Sequence, residues 1–121
     1  MKRVFICSPF KNDIKYNTKI AKVLCKYAIS QGYAPFAPHL FYPRFMSEKK
    51  RDKGIECGLK YLEVCDELWY TETITDGMNT EIKKAQELGL TIDLLRLYFN
   101  EDHYIISRES ELFDYEEFIT M

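Results

Sequence analysis

Short apolar runs alternate with segments of helical periodicity along most of this chain, and this alternation constrains the fold more than any other feature. Strands are predicted at 3–7, within 33–43, at 67–72 and at 90–99, and helices at 13–31, 47–65 and 77–88. This order predicts a parallel sheet with helices on both faces. Such sheets bind ligands at the carboxyl ends of their strands, so the loop after Cys7, the loop after Phe36 and the turn at 73–77 should converge there.

The last part of the chain, 100–121, is acidic and aromatic and is predicted to form an extension of a single domain that spans 1–121. We expect a strand near 103–107 and a short helix near 109–119 in this extension. It is also a candidate for contact with another subunit.

Composition excludes several classes of function. Apolar residues make up 46% of the chain, enough for a real core, and the net charge is −2 with basic residues spread along the sequence. This pattern argues against a partner that is a nucleic-acid polymer. No apolar run approaches the length of a membrane span. The four cysteines form no C-x-x-C pair, so we expect reduced thiols in a cytoplasmic protein, with no metal and no other cofactor.

Glu81 is an unusual acid, because helical periodicity places it with residues that should face the core. On a wheel of 100° per residue it falls within the apolar arc formed by Met78, Ile82, Ala85 and Leu88. Burial of a carboxylate costs several kcal/mol unless it is paired or protonated. A position in the first turn offsets part of this cost through the helix dipole. The simpler alternative is a first-turn acid that reaches solvent.

Thr75, Gly77 and Glu81 form the pattern hydroxyl-x-Gly-x-x-x-Glu at the predicted start of the third helix. A hydroxyl and a bare glycine N–H at a helix N-terminus can hold a phosphate or the oxygens of a sugar. The alternative is a simple turn with Asp76 and Gly77 at its corner.

Three motifs in order resemble the nucleoside 2-deoxyribosyltransferase superfamily: "VFICSPF" at 4–10, "CDELWY" at 65–70 and "TDGMNTEIKKA" at 75–85. With "PHL" at 38–40, the chain is most similar to short bacterial and phage members of that superfamily. The resemblance covers about residues 1–95. It implies a flavodoxin-like (Rossmann-like) three-layer α/β sandwich with a four- to five-stranded parallel sheet.

The resemblance also implies chemistry at the N-glycosidic bond of a deoxynucleoside or its 5′-monophosphate. Glu81 would be the nucleophile that attacks C1′ of the sugar, as in a retaining glycosidase. The implied substrate-binding residues lie in the two flanking loops and are Ser8, Pro9, Phe10, Thr75, Asp76, Gly77 and Met78. Thr75 replaces the usual serine of the family and keeps the hydroxyl. Glu56 is the candidate for the acid partner that protonates the leaving base.

Arg51 and His39 are two further candidates for substrate binding. Arg51 at the start of the second long helix could clamp an anion, although a surface ion pair is the alternative that we favour. His39 follows a strand end and could contact a base or carry a proton, or it could only fix the loop.

The sequence therefore predicts an enzyme that cleaves or exchanges the base of a small nucleoside or nucleotide. A nucleotide-binding module of the same fold without turnover is the alternative, and a small interaction protein with a vestigial pocket is a third reading. Because sites of this family are usually completed by a neighbouring subunit, we expect a homodimer or a larger homo-oligomer.

Overall fold

The computed structural model describes residues 1–100, 103–111 and 116–119. Within these ranges one sheet contains six strands: β1 Lys2–Cys7, β2 Tyr33–Phe36, β3 Glu67–Thr71, β4 Thr91–Asn100, β5 His103–Arg108 and β6 Glu116–Ile119. The α-helices are α1 Ile14–Ser30, α2 Pro38–Phe41, α3 Arg51–Leu62 and α4 Asp76–Leu88. The predicted order of strands and helices up to residue 99 is confirmed, and the short α2 lies in the predicted proline-rich loop.

The strands lie in the order β2-β1-β3-β4-β5-β6. The first four are parallel, and β5 and β6 continue the sheet in antiparallel pairing. The order 2-1-3-4 is that of flavodoxin-like sheets. Their ligands bind at the carboxyl ends of the strands, at the switch point between β1 and β3 where the strand order reverses. This confirms the predicted fold class, with four strands in the parallel part of the sheet.

Alternating residues of the central strands build a core on each face of the sheet. Val4 and Ile6 of β1 pack with α1 on one face, and Trp69 lies in the same cluster. Phe5 and Cys7 point to the other face, where Leu62 of α3 and Met78 of α4 join them. The three-layer sandwich thus follows from the two-residue period of a strand that is buried on both faces.

The ends of α1 and α4 follow from their capping residues. The Asp13 side chain accepts a hydrogen bond from the backbone N–H of Tyr16 at 3.1 Å and so caps α1. Gly89 ends α4 with φ +72°, a conformation that glycine adopts without a steric penalty. Ser47 does not cap α3 with its side chain, because a 3₁₀ turn over 48–50 precedes the helix, which begins at Arg51.

The predicted helix near 109–119 is wrong in the parts that the structure describes. A 3₁₀ turn covers 109–111, and β6 pairs with β5 in antiparallel register, with Phe118 opposite Tyr104. The open edge of β5 offers unpaired backbone groups, and this pairing outweighs local helix propensity. Residues 112–115 of the predicted helix lie outside the described residues. The predicted strand near 103–107 is confirmed as β5.

Two absences hold for the described part of the chain. None of its helices has the length and apolar character that a membrane crossing requires. None of its His, Cys, Asp and Glu side chains cluster in a group that could hold a metal ion.

Candidate active site at the carboxyl edge of the sheet

A cavity of about 290 Å³ opens beside the carboxyl end of β1. Its walls come from four segments: the loop after β1, the segment around α2, the start of α3 and the first turns of α4. The side chains that matter most for its chemistry are Phe10, His39, Arg51 and Glu81. The volume is at the lower end of the roughly 300–1,000 Å³ that is usual for small-molecule sites.

Glu81 lies on the wall of this cavity with only 4% of its surface exposed, so the predicted inward orientation is confirmed. The Cys7 thiol donates a hydrogen bond to Oε1 of Glu81 at 3.2 Å. Burial raises the pKa of Glu81 to about 7, although the Cys7 hydrogen bond and the positive charge of Arg51 both lower it. The carboxyl group can therefore change protonation state near neutral pH, as catalytic carboxyls commonly do.

Arg51 reaches into the cavity from the first residue of α3 instead of pairing at the surface, so the preferred alternative for this residue is wrong. Its Nη1 is buried and has no hydrogen-bond partner among the described residues. The guanidinium carbon lies 6.0 Å from the centre of the Phe10 ring. A Cβ built at Gly77 would lie 3.6 Å from Nη2 of Arg51. The start of α4 therefore lies beside this cation.

His39 connects the loop after β1 to the segment after β2. Its Nε2 lies 2.8 Å from the carbonyl oxygen of Ser8, and because a carbonyl oxygen only accepts, Nε2 carries the proton. The imidazole stacks on the Phe10 ring with centroids 5.0 Å apart. Burial lowers the pKa of His39 to about 4, despite the opposing effect of the Ser8 hydrogen bond, so the ring is neutral at physiological pH.

The other predicted substrate-binding residues are divided among different surroundings. Thr75 caps α4, because its Oγ1 accepts the backbone N–H of Met78 at 3.3 Å. Together with Pro9 it lines a second cavity of about 380 Å³. Asp76 is exposed at the first residue of α4, and Met78 is buried in the core. Ser8 is buried, and its hydroxyl has no hydrogen-bond partner among the described residues.

Glu56, the candidate acid partner, is not brought to the cavity. Its side chain is 71% exposed and forms an ion pair with Lys53 at 3.3 Å. Besides Glu81, the carboxyl group found in the lining of the cavity is that of Glu48, which is exposed on the 3₁₀ turn before α3.

Sequence reasoning missed Cys7 as a partner of Glu81, and it missed the apolar walls contributed by Tyr42, Met46 and Ile55. The signal for Cys7 was its place as the last residue of β1, directly before the loop that carries the site. No periodicity indicated the residues near α2, because this segment is irregular and has no repeating face.

Comparison with known proteins identifies the family. A family described as a domain of unknown function, DUF7768, matches residues 2–95. The chain belongs to this family. A comparison with curated proteins gives no significant match.

Three solved structures are similar to this DUF7768 domain. A 2-deoxyribosyltransferase from Bacillus psychrosaccharolyticus has 20% identity and a TM-score of 0.59, over 78% of this chain and 72% of that one. A CMP N-glycosidase from Clostridium botulinum has 20% identity and a TM-score of 0.53, over 83% and 76%. A 2-desoxiribosyltransferase from Leishmania mexicana has 16% identity and a TM-score of 0.56, over 79% and 65%. The domain thus has a nucleoside 2-deoxyribosyltransferase-like fold, as its motifs predicted.

Proposed function

We propose that this protein cleaves or exchanges the base of a deoxynucleoside or a deoxynucleoside 5′-monophosphate, with Glu81 as the nucleophile. The observation that carries the proposal is the Glu81 carboxyl group, buried on the wall of a cavity at the carboxyl edge of the sheet. The solved structures of similar fold, described above, are named as a CMP N-glycosidase and as deoxyribosyltransferases, and this supports the choice of substrate class.

The reaction that we propose proceeds in two steps. A carboxylate oxygen of Glu81 attacks C1′ of the sugar, and the bond from C1′ to the base nitrogen breaks with its electron pair going to the base. The resulting glycosyl ester is then attacked at C1′ by water or by a second base, which restores the free carboxylate. Phe10 and His39 offer a stacked pair of rings beside the carboxyl group, where a flat base could pack.

The raised pKa of Glu81 shapes the pH dependence of this reaction. A nucleophilic carboxylate must be ionised, so activity should increase as pH rises through about 7. In a pH profile of kcat/KM, the midpoint of this increase would give the pKa of Glu81 in the free enzyme. Besides Glu81, the titratable or charged groups at the site are those of Cys7, His39, Tyr42, Glu48, Lys50 and Arg51.

Chromatography of base release tests the proposal. Wild-type protein is incubated with the four common deoxynucleosides and with their 5′-monophosphates, and free base is measured. Glu81→Gln and Glu81→Ala are expected to lose release by at least about 10³-fold, because the residue forms the covalent bond. Glu87→Gln removes an exposed carboxyl group from the same helix and is the matched control, expected to retain release. Undiminished release by Glu81→Ala would remove this residue from the mechanism.

A nucleotide-binding module without turnover is the second candidate, and the exposed position of Glu56 favours it. If the leaving base requires a proton from a buried acid, this chain lacks one at the position where the sequence indicated it. Calorimetric binding of a substrate from the same panel, with no base released by the wild-type protein, would select this second function.

We also propose that the protein acts as a homodimer or a larger homo-oligomer. Phe41 and Phe45 are exposed beside Tyr42, whose side chain lines the cavity, so a neighbouring subunit could complete this wall. Light scattering at micromolar concentration tests the proposal, and a monomeric mass would contradict it.

A further inference from the structure

The Arg51 guanidinium has hydrogen-bonding capacity in the cavity that the proposed nucleophile does not use. It is a cation whose Nη1 is buried without a hydrogen-bond partner among the described residues. Burying an unpaired donor of a charged group costs free energy, and such groups in a cavity commonly await a ligand. Its position beside Glu81 and Phe10 places it where a substrate would lie.

We propose that Arg51 binds the leaving base and makes the site selective for oxo-pyrimidines, such as uracil and thymine, which depart as anions. This inference rests on the proposed function and names its substrate class. As the bond from C1′ to N1 breaks, N1 takes the electron pair, and the negative charge spreads to the carbonyl oxygens of the ring. The guanidinium donates hydrogen bonds to those oxygens, and water protonates the base after release.

A cation suits this role because, among the described residues, the cavity offers no buried carboxyl group besides the nucleophile. An arginine does not lose its proton in proteins, so it stabilises an anion and does not act as a general acid. His39 is neutral, and its Nε2 proton is donated to the Ser8 carbonyl group. Glu48 is exposed to solvent at the rim. Adenine, which leaves most readily when a ring nitrogen is protonated, should therefore be a poor leaving group here.

The walls of the cavity favour a base over a phosphate as the partner of Arg51. Pro38, Tyr42 and Ile55 contribute apolar surface to the same cavity. A doubly charged phosphate would lose its hydration against these walls with one buried cation to compensate, whereas a flat base gains from the same contact. The Thr75 side chain, at the position that the sequence motif relates to phosphate binding, lines the second cavity instead.

Binding of barbiturate, a pyrimidine with three carbonyl groups that is an anion at neutral pH, tests the inference without turnover. Titration calorimetry is performed in a Glu81→Gln background, so that the nearby carboxylate does not repel the probe. Adding Arg51→Gln should weaken barbiturate binding by about 10- to 100-fold, the usual effect of losing hydrogen bonds from a charged donor. Adding Lys49→Gln, which removes an exposed cation from the 3₁₀ turn before α3 and not from the lining of the cavity, is the matched control and should change binding by less than about threefold.

A second variant, Arg51→Lys, keeps the charge and loses the planar fork, and it should give an intermediate affinity. Circular dichroism melts of each variant check folding. The inference fails if Arg51→Gln binds barbiturate as tightly as its parent does, or if Lys49→Gln loses as much affinity as Arg51→Gln. It also fails if 2-deoxyribose 5-phosphate binds in an Arg51-dependent manner while barbiturate does not.

The two proposals fail in different ways. If base release proves independent of Glu81 while barbiturate binding depends on Arg51, the catalytic proposal is wrong and the assignment of Arg51 stands. If base release depends on Glu81 and deoxyadenosine is cleaved as fast as thymidine, the selectivity is wrong and the nucleophile stands.

Discussion

Wild-type protein should lose unfolding free energy as pH rises, because the buried Glu81 carboxyl group ionises, and replacing Glu81 with glutamine should remove this loss. The pKa of Glu81 is raised from 4.5 to about 7 by burial. Between these two values the folded protein binds a proton that the unfolded chain has released. The stability contribution of this group is therefore fully present below pH 4.5 and is lost as pH rises through about 7.

The size of the effect follows from the shift. Each pKa unit corresponds to 1.36 kcal/mol, so a shift of this size destabilises the folded state by about 3 kcal/mol above pH 8. Glutamine has nearly the same shape, carries no charge, and its carbonyl oxygen can still accept the Cys7 thiol proton. The buried amide hydrogens add a constant cost of about 1–3 kcal/mol, which does not change with pH.

Urea unfolding at intervals between pH 4.5 and pH 8.5 measures this effect. The difference in unfolding free energy, Glu81→Gln minus wild type, should increase by about 3 kcal/mol across that range. Titration of His39 and of the exposed carboxyl groups occurs in both proteins and cancels in the difference. Glu87→Gln on the same helix is the control and should stay within about 0.5 kcal/mol of wild type. A constant difference for Glu81→Gln would refute the reasoning from burial.

The remaining predictions concern the partners of the carboxyl group and the loop around it. Cys7→Ala removes the thiol donor 3.2 Å from Glu81 and should raise the pKa of this carboxyl group by roughly one unit. The size follows because hydrogen bonds to charged groups are worth about 1.5–3 kcal/mol and a thiol is a weak donor. Carbon-13 NMR of the labelled Glu81 side chain measures this pKa, and an unchanged value would contradict the prediction. The pKa of His39 is lowered from 6.5 to about 4 by burial, so its contribution is present above pH 6.5 and is lost as pH falls through 4. As pH falls from 6.5 to below 4, the unfolding free energy of wild type should therefore decrease by about 3 kcal/mol more than that of His39→Gln. Urea unfolding measures both free energies, and an equal decrease in the two proteins would count against the burial of this ring. Gly89→Ala should destabilise the fold by about 1 kcal/mol, because alanine must adopt φ +72° at the end of α4, and a thermal melt equal to that of wild type would be inconsistent with this geometry.

The parallel part of the sheet and the inward position of Glu81 could be predicted because both follow from local periodicity. Strands that are buried on both faces produce continuous apolar runs, and a helix with one apolar face fixes which side chains turn inward. The caps Asp13 and Gly89 were equally local, since each acts on backbone groups within a few residues.

The orientation of Arg51 and the pairing of β6 could not be predicted, because both depend on contacts between distant segments. Arg51 is the first residue of α3, directly after an irregular 3₁₀ turn, and its guanidinium lies beside the start of α4, which is distant in the sequence. The β6 strand exists through its pairing with β5, which no period in the tail reveals. The distance along the chain from Glu81 indicates Glu56 as the acid partner, whereas its side chain faces solvent in the structure.

Intact-protein mass spectrometry after rapid acid quench tests the central claim most directly, namely that Glu81 forms a covalent bond with the sugar. Wild-type protein mixed with a cleavable deoxynucleotide should gain the mass of one deoxyribosyl group, with its phosphate where the substrate carries one. Peptide mapping should place this mass on Glu81, and Glu81→Gln should show none. Rapid base release by the wild-type protein with no adduct at any quench time, or an adduct on another residue, would contradict the account.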